Sequence, residues 1–148
     1  MRAVIQRVSA ARVTVGDDPV GAIGAGALVL LGIAHGDTEV EADWLLDKLL
    51  DLRIFEDDSG KFNRSLCNLN GELLVVPQFT LLADTRKGRR PSFTAAARPE
   101  QAVPLYERMI RRAHDRGVRV ASGRFGARMR VELVNEGPVT IILDSNDR

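Results

Sequence analysis

Residues 27–34, Ala-Leu-Val-Leu-Leu-Gly-Ile-Ala, form an unbroken apolar run. A strand with one wet face alternates apolar and polar residues. This run does not, so both of its faces must be covered, and it belongs at the centre of a sheet. The wider stretch from Ala22 to Ala34 is interrupted by Gly24, Gly26 and Gly32 and is too short to span a bilayer. A covered central strand needs elements above and below it, and the rest of the chain supplies them.

Residues 3–15 alternate loosely and are rich in Val and Ile, predicting a first strand. Gly16-Asp17-Asp18-Pro19 makes a turn and Val20–Ile23 a short second strand. Thr38-Glu39-Val40-Glu41 has the spacing of a capping box. Ala42, Leu45, Leu46, Leu49 and Leu50 follow at helical spacing, with Asp43, Asp47 and Lys48 on the other side. Strands are expected at Arg53–Glu56 and Glu72–Val76, the first followed by a turn over residues 57–61. Residues 84–98 read as a loop. A second helix is expected from Pro99 to about Arg116, carrying Leu105, Tyr106, Met109, Ile110 and Ala113 on its apolar stripe. Pro104 conflicts with a regular start, so that helix begins near Pro104 or has an irregular first turn. Val118–Ala121, Met129–Val134 and Val139–Leu143 complete the strands, the last two joined by a tight connection at Asn135-Glu136-Gly137-Pro138. No repeat or linker interrupts the pattern, so residues 1–148 are expected to form one α+β domain.

Charge is unevenly spread. Residues 86–130 carry 13 basic and 3 acidic side chains, whereas residues 1–85 carry 7 basic and 13 acidic ones. A localised basic segment in a chain of net charge +1 is compatible with a polyanion footprint or with an ordinary solvated face. Cys67 is the only cysteine, which excludes an intrachain disulfide. The opening Met1-Arg2-Ala3-Val4 reaches polar Gln6-Arg7 at once, so no secretory leader is expected, and the cytoplasm is the expected location.

The usual catalytic signatures are missing. His35 and His114 are the only histidines, and neither has Cys, Asp or Glu neighbours at metal-ligand spacing. No metal and no cofactor is therefore expected. No Gly-x-Ser-x-Gly elbow occurs, although His35 could approach Ser92 or Thr80 in space. Gly24-Ala25-Gly26 precedes a strand and is no phosphate loop. What remains is Pro77-Gln78-Phe79-Thr80, where an apolar strand ends and backbone amides become free to stabilise an oxyanion. Its plain alternative is a strand end with a Phe plugging the core. Gly137-Pro138, alone, is an ordinary turn.

Together these segments resemble the D-aminoacyl-tRNA deacylase family over essentially the whole chain. The likeness rests on Gln6-Arg7-Val8, Gly24-x-Gly26, Leu28-Val29-Leu30-Leu31-Gly32, Arg53-Ile54-Phe55, Val75–Thr80, Arg90-Pro91-Ser92-Phe93, Gly123-Arg124-Phe125 and Asn135-x-Gly137-Pro138-Val139-Thr140. The resemblance implies a homodimer with a curved, barrel-like mixed or antiparallel sheet flanked by helices and active sites at the subunit interface. It implies hydrolysis of the ester between a D-amino acid and the 3′ acceptor end of tRNA, with glycyl-tRNA as a second substrate. Gln78, Phe79 and Thr80 would surround the ester, with amides of residues 78–80 polarising the carbonyl. Water would attack, helped by the ribose 2′-hydroxyl. Gly137 and Pro138, as a cis Gly-Pro reaching across from the other subunit, would exclude L-amino acids, and Arg7 belongs with them. Phe125 and Met129 would flank the terminal adenine, and Arg86, Lys87 and Arg124 would meet tRNA. The family signature reads Ser-Gln-Phe-Thr where this chain has Pro77, so no serine hydroxyl at that position serves its chemistry. A non-catalytic RNA-binding module and an esterase of small D-aminoacyl esters are the competing readings.

Overall fold

The computed structural model describes residues 1–148 and contains one mixed sheet with two helices on one face. Strand β1 (Arg2–Val15) is the spine. Along one edge its first half pairs with β3 (Gly26–Gly32), and its second half with β2 (Asp18–Ile23). Its other edge is covered throughout by β8 (Arg130–Asp144). Beyond β3 lie β6 (Glu72–Pro77) and β7 (Arg119–Ser122), both parallel to their neighbour. Each parallel step needs a crossover, and α1 (Glu39–Asp51) and α2 (Pro99–Asp115) supply them. The sheet curls until β2 meets β7, nearly closing a barrel.

The apolar run behaves as its composition demands. β3 lies between β1 and β6, and Ala27, Leu28, Val29 and Leu31 are all buried. Its two faces feed different cores. Ala27, Val29 and Leu31 join Leu45, Leu46 and Leu49 of α1 and Leu105, Tyr106 and Met109 of α2 in the larger core. Leu28 packs with Val8, Val13, Leu74 and Val76 inside the curl of the sheet.

The capping box at α1 forms as expected, Val40 N–H donating to Thr38 Oγ1 and Thr38 N–H to the Glu41 carboxylate. The Thr38 hydroxyl, and then its N–H, both donating to the Glu41 carboxylate, hold that carboxyl down at about 2. Helix α2 starts at Pro99, as expected, and runs on through Pro104 rather than beginning there, at the cost of one hydrogen bond in its first turn. The carbonyl that loses its donor belongs to Glu100 in the exposed first turn, where water can replace it.

Three other expectations change. The strand expected at 53–56 shrinks to β4 (Phe55–Glu56), which pairs with an unanticipated β5 (Phe62–Arg64) across the 57–61 turn. The Pro77 end of β6 continues into a 3-10 turn at Phe79–Leu82. Residues 129–143 do not form two strands around a tight turn. β8 is one strand along β1, and between the Gln6–Thr140 and Val8–Asn135 pairs its residues 136–139 bulge from the ladder. The Asn135 side chain replaces missing ladder bonds, donating to Arg7 O and Val139 O, both at 3.0 Å. A bulge and a turn use the same Asn and Gly chemistry, so local sequence does not separate them.

Candidate active site

Where β6 leaves the sheet, Gln78 N–H still donates to Leu31 O at 2.8 Å. That amide is therefore engaged, which narrows the donor set expected over residues 78–80. Within the following 3-10 turn, Leu81 N–H returns to Gln78 O and Ala83 N–H to Thr80 O. Phe79 and Thr80 open the turn, so their N–H groups have no carbonyl one turn earlier to bond. The Gln78 side-chain amide donates to Thr80 Oγ1 in a short contact that orients both side chains. Phe79 is 57% exposed, and its ring meets Phe93 edge-on at 5.1 Å between centroids.

These residues border a cleft of about 300 Å³. One wall is Val76, Pro77, Gln78 and Phe79; the opposite wall is the loop after β7, with Phe125, Gly126, Ala127 and Met129. The loop is tied at its start by Gly123 N–H to Val75 O at 2.9 Å and braced by Arg124 N–H to Met129 Sδ at 3.3 Å. A Cβ at Gly123 would lie 2.7 Å from Met129 Sδ, so a side chain there would push Met129 aside. The cleft is mostly apolar and suits a flat, weakly polar group; Phe79, whose N–H is unbonded, is among its lining residues, and Thr80 follows it in the chain.

The basic segment divides in two. Arg108, Arg112 and Arg116 of α2 interdigitate with Glu39, Asp43, Asp47 and Asp51 of α1. Hydrogen bonding from Arg108, aided by Arg112, holds the Asp43 carboxyl down at about 2. This charge is structural. Arg119 pairs with Glu72, and Arg124, exposed, lies 3.4 Å from Asp18. Beside the cleft, Asp84 and Ser92 bridge to close a loop carrying Arg86, Lys87, Arg89 and Arg90. Arg86 turns back onto Asp84, and its guanidinium holds that carboxyl well below the usual range. Lys87, Arg89 and Arg90 are exposed and form no ion pair. His35 is held through its backbone, to Ala95 O and from the Gln101 side chain, with no hydrogen bond to Ser92 or Thr80.

Gly137, Pro138 and Arg7 form a second cluster away from this cleft. The Gly137-Pro138 peptide is cis, and both residues are exposed on the β8 bulge. Buried Arg7 reaches beneath it, donating from Nε to Glu136 O and from Nη1 to Ile54 O, each at 2.8 Å. Its guanidinium lies 3.6 Å from the Glu56 carboxylate and 5.2 Å from the centre of the Phe62 ring. A Cβ at Gly137 would fall 2.3 Å from Val139 N. Gln78 lies level with Arg2 of β1, whereas the bulge lies level with Arg7. Five residues along the strand and three inter-strand spacings, from β8 through β1 and β3 to β6, separate the bulge from Gln78 by about 20 Å.

Gln78, Phe79, Phe125 and Met129 thus share one cleft with Thr80 at its rim, while Arg7, Gly137 and Pro138 stand apart. Sequence reasoning missed Tyr106, Phe93 and Asn135 as contributors; Tyr106 was legible only as part of an apolar stripe.

Fold and site together define a barrel-like α+β domain with a mostly apolar cleft between the end of β6 and the loop after β7. The chain belongs to the D-Tyr-tRNA(Tyr) deacylase family, whose model matches residues 4–144. A D-aminoacyl-tRNA deacylase of Dehalococcoides mccartyi is 62% identical over 148 residues, covering all of this chain and 97% of that one. One from Thermus aquaticus is 57% identical with the same coverage. Among solved structures, a c-Myc DNA unwinding element binding protein superposes with a TM-score of 0.91 at 42% identity, covering 97% of this chain and 98% of the other. A probable eukaryotic D-amino acid tRNA deacylase shares the fold, with a TM-score of 0.80 at 23% identity over 96% of this chain and 97% of that one.

Proposed function

We propose that the protein hydrolyses the ester of D-aminoacyl-tRNA, releasing the free D-amino acid and tRNA. The observation that carries this reading is the pair of N–H groups left unbonded at Phe79 and Thr80, where the strand ends beside the cleft lined by Phe79, Phe125 and Met129. With the terminal adenine between that wall and Pro77, the ester carbonyl comes to the two amides. Donors of this kind strengthen their bonds as the carbonyl oxygen gains charge, and losing one costs about 100- to 1,000-fold in rate. Water attacks the carbonyl carbon, and the ribose 2′-hydroxyl assists its proton transfer and that of the departing 3′-oxygen. No side-chain base is then required, in keeping with the lack of a hydrogen bond between either histidine ring and a hydroxyl. Lys87 and Arg90 meet backbone phosphates, with Arg86 and Arg124 released from their carboxylates to join them.

Chiral selection is assigned to Gly137-Pro138 of a second copy. Within one chain this segment is too far from the cleft to touch a bound ester, so it acts only across a homodimer. The outer edge of β8 is unpaired, and Val134 and Ile142 on it are exposed, which supports an interface there. Backbone carbonyls and the proline ring would occupy the side on which an L-amino acid carries its side chain. A D side chain points away, so one pocket serves many D-amino acids, and glycine, with nothing to exclude, also enters. No helix is long and apolar enough to cross a membrane, and the proposed substrate places the enzyme in the cytoplasm.

The test is parallel incubation with D-Tyr-tRNA, L-Tyr-tRNA and the corresponding free D-tyrosyl ester, with a chelator present. Release from D-Tyr-tRNA alone is expected. Equal rates on both tRNAs would remove the chiral assignment, and equal rates on tRNA and free ester would favour a small-ester hydrolase. RNA binding without turnover would leave only an RNA-binding module.

A further inference from the structure

The β6–β7 ladder stops at a defined atom. Val75 pairs with Ser122, and Gly123 N–H donates to Val75 O. In a parallel ladder the next bond would run from the N–H of residue 77 to Gly123 O. Residue 77 is proline and has no N–H. The carbonyl of Gly123 is thereby orphaned at the root of the loop that carries Phe125, Ala127 and Met129 to the cleft.

The Tyr106 hydroxyl lies at that spot. It projects from α2, one turn beyond Ala102 of the cleft wall, and its one proton is shared between Val75 O at 3.0 Å and, more weakly, Gly123 O at 3.4 Å, a bifurcated bond that bridges the strand and the loop. Tyr106 is 4% exposed, and burial raises its hydroxyl to about 12, so it remains a neutral donor. Its ring lies behind Phe125, centroids 6.0 Å apart. Tyr106 touches neither the cleft nor a substrate placed in it.

We infer that Tyr106 is a positioning residue for the adenine wall, its hydroxyl replacing the ladder hydrogen bond that Pro77 cannot make. The hydroxyl joins the strand that presents Gln78, Phe79 and Thr80 to the loop that presents Phe125 and Met129. It therefore sets the width of the cleft between them. The inference rests on the deacylase reading only for the identity of the substrate.

Tyr106→Phe keeps the ring behind Phe125 and removes only the hydroxyl. Its KM for D-Tyr-tRNA is expected to rise about five- to tenfold, with kcat within about twofold, because a widened slot weakens binding before it affects the amides. Pro77→Ala returns an N–H to residue 77. In that background the same substitution is expected to move KM by less than about twofold, a non-additivity that a general loss of stability does not produce. The Kd for an uncharged RNA hairpin ending in CCA, measured on all four proteins, should follow the same pattern. An unchanged KM and Kd in Tyr106→Phe, or equal effects in both backgrounds, would overturn the inference. Absence of D-Tyr-tRNA turnover combined with the Pro77-dependent change in hairpin Kd would sink the deacylase reading and leave the inference standing. Absence of both turnover and hairpin binding would remove both.

Discussion

Replacing Arg7 by lysine separates the work of a guanidinium from that of a positive charge. In the native structure Arg7 bonds two carbonyls on different elements, Glu136 O on the β8 bulge and Ile54 O before β4. A lysine ammonium is a point donor on a flexible stem and does not span both carbonyls as the planar fork does. One charge-assisted bond is lost, at about 1.5–3 kcal/mol. The Glu56 interaction adds little, since that carboxylate is half exposed. Arg7→Lys should therefore cost about 2 kcal/mol, a fall in Tm of about 4–8 °C for a chain of this size, compared at one protein concentration.

Stability alone does not identify the role. If Arg7 holds the bulge so that Gly137-Pro138 excludes L-amino acids, losing the tether to Glu136 lets the segment yield to an L side chain. About 1.4 kcal/mol of lost exclusion is tenfold in the ratio of rates. Single-turnover deacylation of D-Tyr-tRNA and L-Tyr-tRNA by wild type and Arg7→Lys should show the D/L ratio falling about tenfold, chiefly because the L rate rises. A variant that melts several degrees lower and keeps the wild-type D/L ratio would refute the reasoning. Arg7 would then be a structural residue that happens to lie beneath the bulge.

Thr80→Ala should slow D-Tyr-tRNA hydrolysis by no more than about tenfold in single-turnover assays, since the amide and not the hydroxyl polarises the carbonyl; a loss above about 1,000-fold would instead indicate a covalent threonine. Lys87→Ala combined with Arg90→Ala should weaken tRNA binding and flatten the slope of log affinity against log salt by about 1.5, and an unchanged slope would take phosphate contact away from this loop. Asp43→Asn tests the pairing between the two helices through its pH dependence. The Asp43 carboxyl is held at about 2 in the folded protein, below the ordinary value of about 3.9, so its contribution is complete above about pH 4 and disappears as pH falls through 2. Urea midpoints of wild type and Asp43→Asn should converge between pH 4 and pH 2; a gap that stays constant would show that the charge of Asp43 does no work.

The parts of the fold that were legible in the sequence are those fixed by burial pattern and local capping. The apolar run could only be a covered strand, and Thr38 with Glu41 could only usefully open a helix. The bulge was illegible because Asn135 and Gly137 serve a turn and a bulge equally well, and only β1 on the facing side decides between them. The α1–α2 charges were in view as well, at one-turn intervals on both helices. Their matching is a tertiary fact, 65 residues apart between Asp43 and Arg108. Reading residues 86–130 as one basic block therefore merged a helix-pairing device with an exposed basic loop. Of that block, Lys87, Arg89 and Arg90 of the loop and exposed Arg98, Arg128 and Arg130 are the side chains left free of ion pairs.

The candidate site resisted side-chain reasoning for a related cause. A triad or a metal centre has residue types that can be searched for, whereas an N–H group carries no letter in the sequence. What can be read is where a strand must end, and here Pro77 ends two ladders differently. Towards β3 the chain continues to bond, because the N–H of Gln78 faces that side. Towards β7 it stops, because proline faces that side. The site begins at this asymmetry. Gln78 is still fixed by the sheet, Phe79 and Thr80 are released from it, and the loop opposite is freed to become a wall. Pro77 thus leaves one carbonyl at Gly123 without a ladder donor. A fold that uses proline in this way needs a donor from outside the sheet at that carbonyl, and Tyr106 of α2 is the side chain that reaches it.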